Sequence, residues 1–401
     1  MNRVKLRSRR DVGPGILAAV GLLLFLVPGA PLGTHAAQAP PPPAGRPHVD
    51  PAAEVVGSGM TPPRAPLIAG GWVNRTAQLG VAPSARFGAM SAYDAADGAL
   101  LLFGGTGVGH QVLRDTWTYV DGVWHNITNL AGTAPSARTD GTMAYDSADA
   151  EVVLYGGIHL GTYQSDTWAF KGGQWSSVST NTSAGPVADA AMSFDPTVEA
   201  LVLFGGSPHP GTAVRNTTFT FAKGVWKNIS STVASTPPGV TRASMTWDGR
   251  LNATLLFGGT GPKQPINQTW AFSLGHWRRL TAPNDVAPPA RDSAGFAYDA
   301  ADGYDVLFGG NAAGFALNDT WAFRSGNWSL LPEGVIPPGR SLGALVYTPG
   351  PGPLNASIVL FGGRSSPLAN ATVDGDTWTY KLPLQATINL SAAMIDVSHT
   401  L

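Results

Sequence analysis

Six tryptophans, Trp72, Trp124, Trp175, Trp226, Trp277 and Trp328, stand 52, 51, 51, 51 and 51 residues apart. A ruler this regular marks an internal repeat, and it restricts the fold to architectures in which like units stack on one another. Double glycines give a second ruler, starting at Gly104, Gly156, Gly205, Gly258, Gly309 and Gly362. The aromatic residue of DTW-like strings gives a third, at Trp117, Trp168, Phe219, Trp270, Trp321 and Trp378. Eleven of the 12 tryptophans occupy two positions of one unit.

Each unit reads as four short strands separated by turn residues; in the first copy they are FGAMSAYD, ALLLFGG, DTWTYV and VWHNIT. The second strand is continuously apolar in every copy (ALLLF, EVVLY, LVLF, ATLLF, DVLF, SIVLF). Such a strand is covered on both faces. A lone four-stranded sheet cannot supply that cover, whereas radial stacking of sheets around a channel can. The expected fold is therefore all-β, a six-bladed propeller of four-stranded antiparallel blades. Its ends explain its closure: Trp72 in GGWVNRT is an outer-strand residue with no unit before it, and the last unit stops after its third strand, DTWTYKL. One N-terminal strand plus three C-terminal strands would complete the sixth blade. The double glycine is expected to bend the second strand and to admit a bulky neighbouring aromatic.

With these registers in place, residues 71–382 resemble the kelch-repeat family, whose units carry a strand ending in Gly-Gly and spaced aromatics downstream, as in the central domain of galactose oxidases. The resemblance implies a kelch-type propeller. It also implies ligand contact by arginines at the entrance to the innermost strand, which here are Arg86, Arg138, Arg291 and Arg340; Val187 stands in phase in the third unit and Arg242 is displaced by two in the fourth. Four guanidinium groups around one face would suit carboxylates or acidic sugars; the alternative is that each braces a loop by bonding to carbonyls. His110, His159 and His209 follow the double glycine in three consecutive units, and are further candidates for contact with a ligand on the propeller face. Their offsets differ, so no metal site is expected from them.

Other chemistry is limited by composition. The chain of 401 residues has 43% apolar residues, 50 Gly, 33 Pro, 13% charged residues and a net charge of -1, so it can bury a large core but lacks the basic footprint of a nucleic-acid binder. Cysteine is absent, which removes disulfides, thiolate nucleophiles, Cys-based zinc sites and the Cys–Tyr radical cofactor of copper galactose oxidases. GGTGVGH at 104–110 lacks the third glycine of a dinucleotide loop, and GGTGPK at 258–263 lacks the spacing of a phosphate loop. SDTWAF at 165–170 lacks the glycine of sialidase boxes. No catalytic residue and no cofactor is expected, and the leading reading is a non-catalytic binding module for a surface protein or a glycan, acidic ones included. The competing reading is a carbohydrate-active enzyme, a hydrolase, epimerase or lyase.

The flanks address location. Arg3, Lys5, Arg7, Arg9 and Arg10 precede the apolar run Ile16 to Val27, the layout of an export signal over residues 1–36, with an uncleaved membrane anchor as the alternative. Residues 37–70 are Pro-rich and read as an extended spacer. Twelve of the 16 asparagines lie in N-x-S/T: Asn74, Asn126, Asn181, Asn216, Asn228, Asn252, Asn267, Asn318, Asn327, Asn355, Asn370 and Asn389. Their density points to a secreted or cell-surface glycoprotein, and the resemblance implies an exported surface protein of archaeal or bacterial type. Residues 383–401 alternate weakly and look like the opening strand of an immunoglobulin-like or PKD-type module.

Overall fold

A computed structural model describes residues 70–382, apart from 234, 281–285, 333, 351–355 and 368–370. The signal, nearly all of the spacer, the C-terminal tail, and Asn355, Asn370 and Asn389 lie outside the described residues.

Six four-stranded antiparallel sheets follow one another around a ring, a six-bladed β-propeller. In blade 1 the strands run from the channel outward as Met90–Asp94, Ala99–Phe103, Thr116–Val120 and Val123–Asn126. Blade 6 is composite: Ala344–Thr348, Ser357–Arg364 and Val373–Lys381 are completed by Gly71–Asn74, which pairs with the last of them through Trp72 opposite Tyr380. The expected one-plus-three closure is thus what joins the ring.

The core lies between blades rather than within one. In the second strand of blade 1, Leu101 and Phe103 pack with Val152, Leu154, Phe170 and Trp175 of blade 2. Leu100 and Leu102 pack with Val346, Val359 and Phe361 of blade 6. This is why the strand reads as unbroken apolar sequence: alternate side chains enter two different cores. Each outer-strand tryptophan spans such a core. Trp175 meets Phe103 of the preceding blade at 5.3 Å and Phe170 of its own at 5.1 Å. Its indole N–H donates to Thr116 in the preceding blade. The same donation runs from Trp72 to Thr320, Trp124 to Thr377, Trp226 to Thr167, Trp277 to Thr218 and Trp328 to Thr269.

The double glycines have a backbone reason. Gly104 and Gly105 have φ of 65° and 95°, and a Cβ on Gly104 would lie 2.5 Å from the carbonyl oxygen of Arg138. That carbonyl accepts the Gly105 N–H at 2.9 Å. The neighbour at this bend is therefore the main chain of the next blade rather than the expected aromatic, and only glycine combines the left-handed turn with that approach.

Candidate functional site

The arginines at the strand entrance are spent inside the protein. Arg86, Arg138, Arg291 and Arg340 are each 1% exposed. Arg86 Nε donates to the Ser84 carbonyl, Nη1 to the Gly104 carbonyl and Asp115, and Nη2 to Ser84 Oγ and Asp115. All five of its N–H donors are filled, and Arg138 repeats the set with Ser136, Gly156 and Asp166. Arg291 and Arg340 make the same forked pairs with Asp319 and Asp376. Burial pushes these aspartates up, but the arginine bonds and charge, with an indole N–H from Trp117, Trp168, Trp321 or Trp378, outweigh it and hold the carboxyls below their ordinary range. Where the third and fourth units put Val187 and Val240, the aspartate is also gone, replaced by Thr217 and Gln268. The residues appear and vanish as a pair, which assigns them to bracing the strand entrance against the double glycine.

The histidines do not converge. His110 is exposed at φ 60°, His159 Nδ1 lies 2.6 Å from the Ala137 carbonyl, and the exposed His209 ring stands 6.1 Å from that of Tyr163. Among the described residues no three His, Asp or Glu side chains gather as metal ligands.

The nine described sequon asparagines are all exposed. Several sequon hydroxyls nevertheless serve the framework. Asn126 Oδ1 accepts the Thr128 N–H, and Thr128 Oγ1 accepts the Thr116 N–H; Asn228 with Ser230 does the same toward Thr218. Thr218, Thr269 and Thr320, the third residues of the sequons at Asn216, Asn267 and Asn318, are the indole acceptors described above. Part of the sequon density is therefore demanded by the fold.

The feature that sequence reading missed is a ring at the channel mouth on the same face. Gly88, Asp140, Asp189, Arg242, Ser293 and Leu342 all have left-handed φ, between 56° and 63°. Each N–H bonds to the carbonyl of the ring member before it, at 2.8–3.0 Å, and Gly88 closes the circle onto Leu342. A single signal would have found it: every member stands six residues before the end of the innermost strand, as Asp140 does before Asp146.

This ring forms one mouth of a channel cavity of about 210 Å³ and gathers charge. Asp189 pairs with Arg242 at 3.2 Å. Asp140 is pushed up to about 7, by burial first and then by the charge of Asp189, against the pull of Arg242 and Arg364. Burial likewise raises Asp189. Arg364 lies over the Phe87 ring at 4.6 Å. Asp140 Oδ1 at this mouth, and Asn311 Oδ1 and Arg364 Nε on the residues that bond to Asp292 and Ser341 beside it, have no hydrogen-bond partner within the protein.

No protein-family model matches this chain, and no curated protein matches it.

Proposed function

We propose that this chain is a kelch-type propeller, exported to the cell surface, that serves there as a non-catalytic binding module for a glycan or a polar protein loop. The basic and apolar N-terminus and the exposed sequon asparagines support the location, and the repeated Gly-Gly and aromatic registers support the kelch type. The observation that carries the function is the cluster of charged side chains, Asp140, Asp189, Arg242 and Arg364, gathered at one channel mouth. Mixed acceptors and donors at one opening match a ligand that offers both, as vicinal hydroxyls or main-chain amides do. Acidic groups on the ligand would meet Arg242 and Arg364, since Arg86 and its counterparts have internal partners.

A carbohydrate-active enzyme is the second reading, and one observation favours it: a carboxyl near 7 beside a second carboxyl can donate and accept protons at neutral pH. A glycan array probed with the full chain and with Asp189→Asn and Arg242→Ala separates these readings. Binding lost in both variants without product formation supports a binding module. Turnover of a bound glycan overturns the non-catalytic reading, and binding that survives both changes overturns the site.

A further inference from the structure

The opposite mouth of the channel is built from different chemistry. Each innermost strand ends with a channel-facing aromatic residue one position before its last: Tyr93, Tyr145, Phe194, Trp247, Tyr298 and Tyr347. Together they make a collar on a cavity of about 500 Å³, within the ~300–1,000 Å³ of small-molecule sites. Two residues earlier on the strands, Met143, Met192, Met245 and Phe296 line the same cavity more deeply. Trp247 is the one tryptophan outside the two framework registers, and it takes no part in the indole-to-threonine ladder.

Carboxylates stand behind this collar. Asp94, Asp146, Asp195, Asp248 and Asp299 directly follow five of the aromatics and are at most 2% exposed. Burial, and after it the charge of these aspartates, raises the phenols of Tyr93, Tyr145 and Tyr298; Asp299 does so for Tyr347, and at Tyr298 Arg250 opposes the effect.

We propose that the aromatic collar binds a small organic cation, an alkylated ammonium head seated against the rings that line the cavity. Aromatic faces are the negative ends of their quadrupoles, and the attraction to a cation grows as water is excluded. Thioether sulfurs from three methionines add polarizable surface for its alkyl groups. An anion would meet the field of the buried aspartates.

The test is calorimetric titration of the full chain with a trimethylalkylammonium salt and with its neutral tert-butyl isostere. The ammonium is expected to bind roughly tenfold more tightly than the isostere. Trp247→Ala and Tyr298→Leu, each checked for a native circular dichroism spectrum, should weaken the ammonium, whereas Lys227→Ala on the exposed outer strand of blade 3 should leave it unchanged. Equal affinity for the two compounds, no heat from either, or full affinity in whichever collar variant folds overturns the proposal.

Discussion

Trp124 of blade 1 donates its indole N–H to the hydroxyl of Thr377 in blade 6, 3.0 Å away across the seam where the chain closes on itself. Both groups are buried and 253 residues apart. Replacing Thr377 with Val preserves shape but strands the indole donor, at about 1–3 kcal/mol. Thr218→Val, which strands Trp277 within the continuous part of the ring, costs the same locally. The seam differs in kinetics, because Val373–Lys381 is joined to blade 1 only through its pairing with the N-terminal strand Gly71–Asn74, not through a direct chain connection. Amide exchange in Val373–Lys381 is therefore expected to accelerate more in Thr377→Val than exchange in Thr218–Ala222 does in Thr218→Val; equal acceleration would count against the seam as the point of opening.

Arg138 and Asp166 supply a second test. Removing only the arginine leaves the Asp166 carboxylate with the Trp168 indole N–H alone, at no more than roughly 3 kcal/mol, the low end for a broken buried pair, because the Asp166 side chain is 37% exposed. Arg138→Val with Asp166→Thr copies what blade 3 already does with Val187 and Thr217. Urea midpoints should show the double variant nearer to wild type than Arg138→Val alone. The aspartates of all four pairs have lowered folded values, so the stability they lend is present above the ordinary aspartate range near 4 and lost as pH falls through those values.

The fold was legible because six copies repeat the same physical demands. Trp175 must bridge two cores, Gly104 must turn left-handed beside a carbonyl, and Thr116 must accept an indole, so these positions keep their residue type in nearly every unit. Arg86 was legible as a register, with loop bracing through carbonyls as one of its two readings, but its carboxylate partner was not: Asp115 lies 29 residues on, and the pairing shows only when the two units that lose both residues are compared. The mouth ring was hidden for another reason. Gly88, Asp140, Arg242 and Leu342 share a backbone conformation and a main-chain bond, and neither leaves a mark on side-chain chemistry.

Asp305 offers a change that should stabilise the protein. Its side chain is fully buried where blade 4 has Thr254, whose hydroxyl donates to Asp195 at 3.0 Å. Asp305 faces Asp248 instead, and burial, then the charge of Asp248, hold its carboxyl well above the ordinary range. Its stability contribution is complete below a pH of about 4 and drains as pH rises toward its elevated folded value. Asp305→Thr should therefore raise the denaturation midpoint, more at mildly alkaline pH than in acid. A gain independent of pH would place the effect in packing rather than in the titrating carboxyl.

Asp140 titrates where the neutral range can read it. Its value of about 7 is set by burial and by Asp189, and is opposed by Arg242, Arg364 and a hydrogen bond involving Thr139. Removing the opposing charge with Arg242→Leu should move the midpoint upward, and neutralising the neighbour with Asp189→Asn should move it downward; carboxyl carbon chemical shifts would follow both. Because the folded value is raised, stability is lost as pH climbs from about 4 through 7, and Asp140→Asn should flatten that slope. The same proton changes the charge at the mouth by one unit, so a ligand that donates hydrogen bonds there should bind more tightly above the midpoint. A wild-type carboxyl that titrates in the ordinary aspartate range, unmoved by either neighbour, would remove the electrostatic basis of the site.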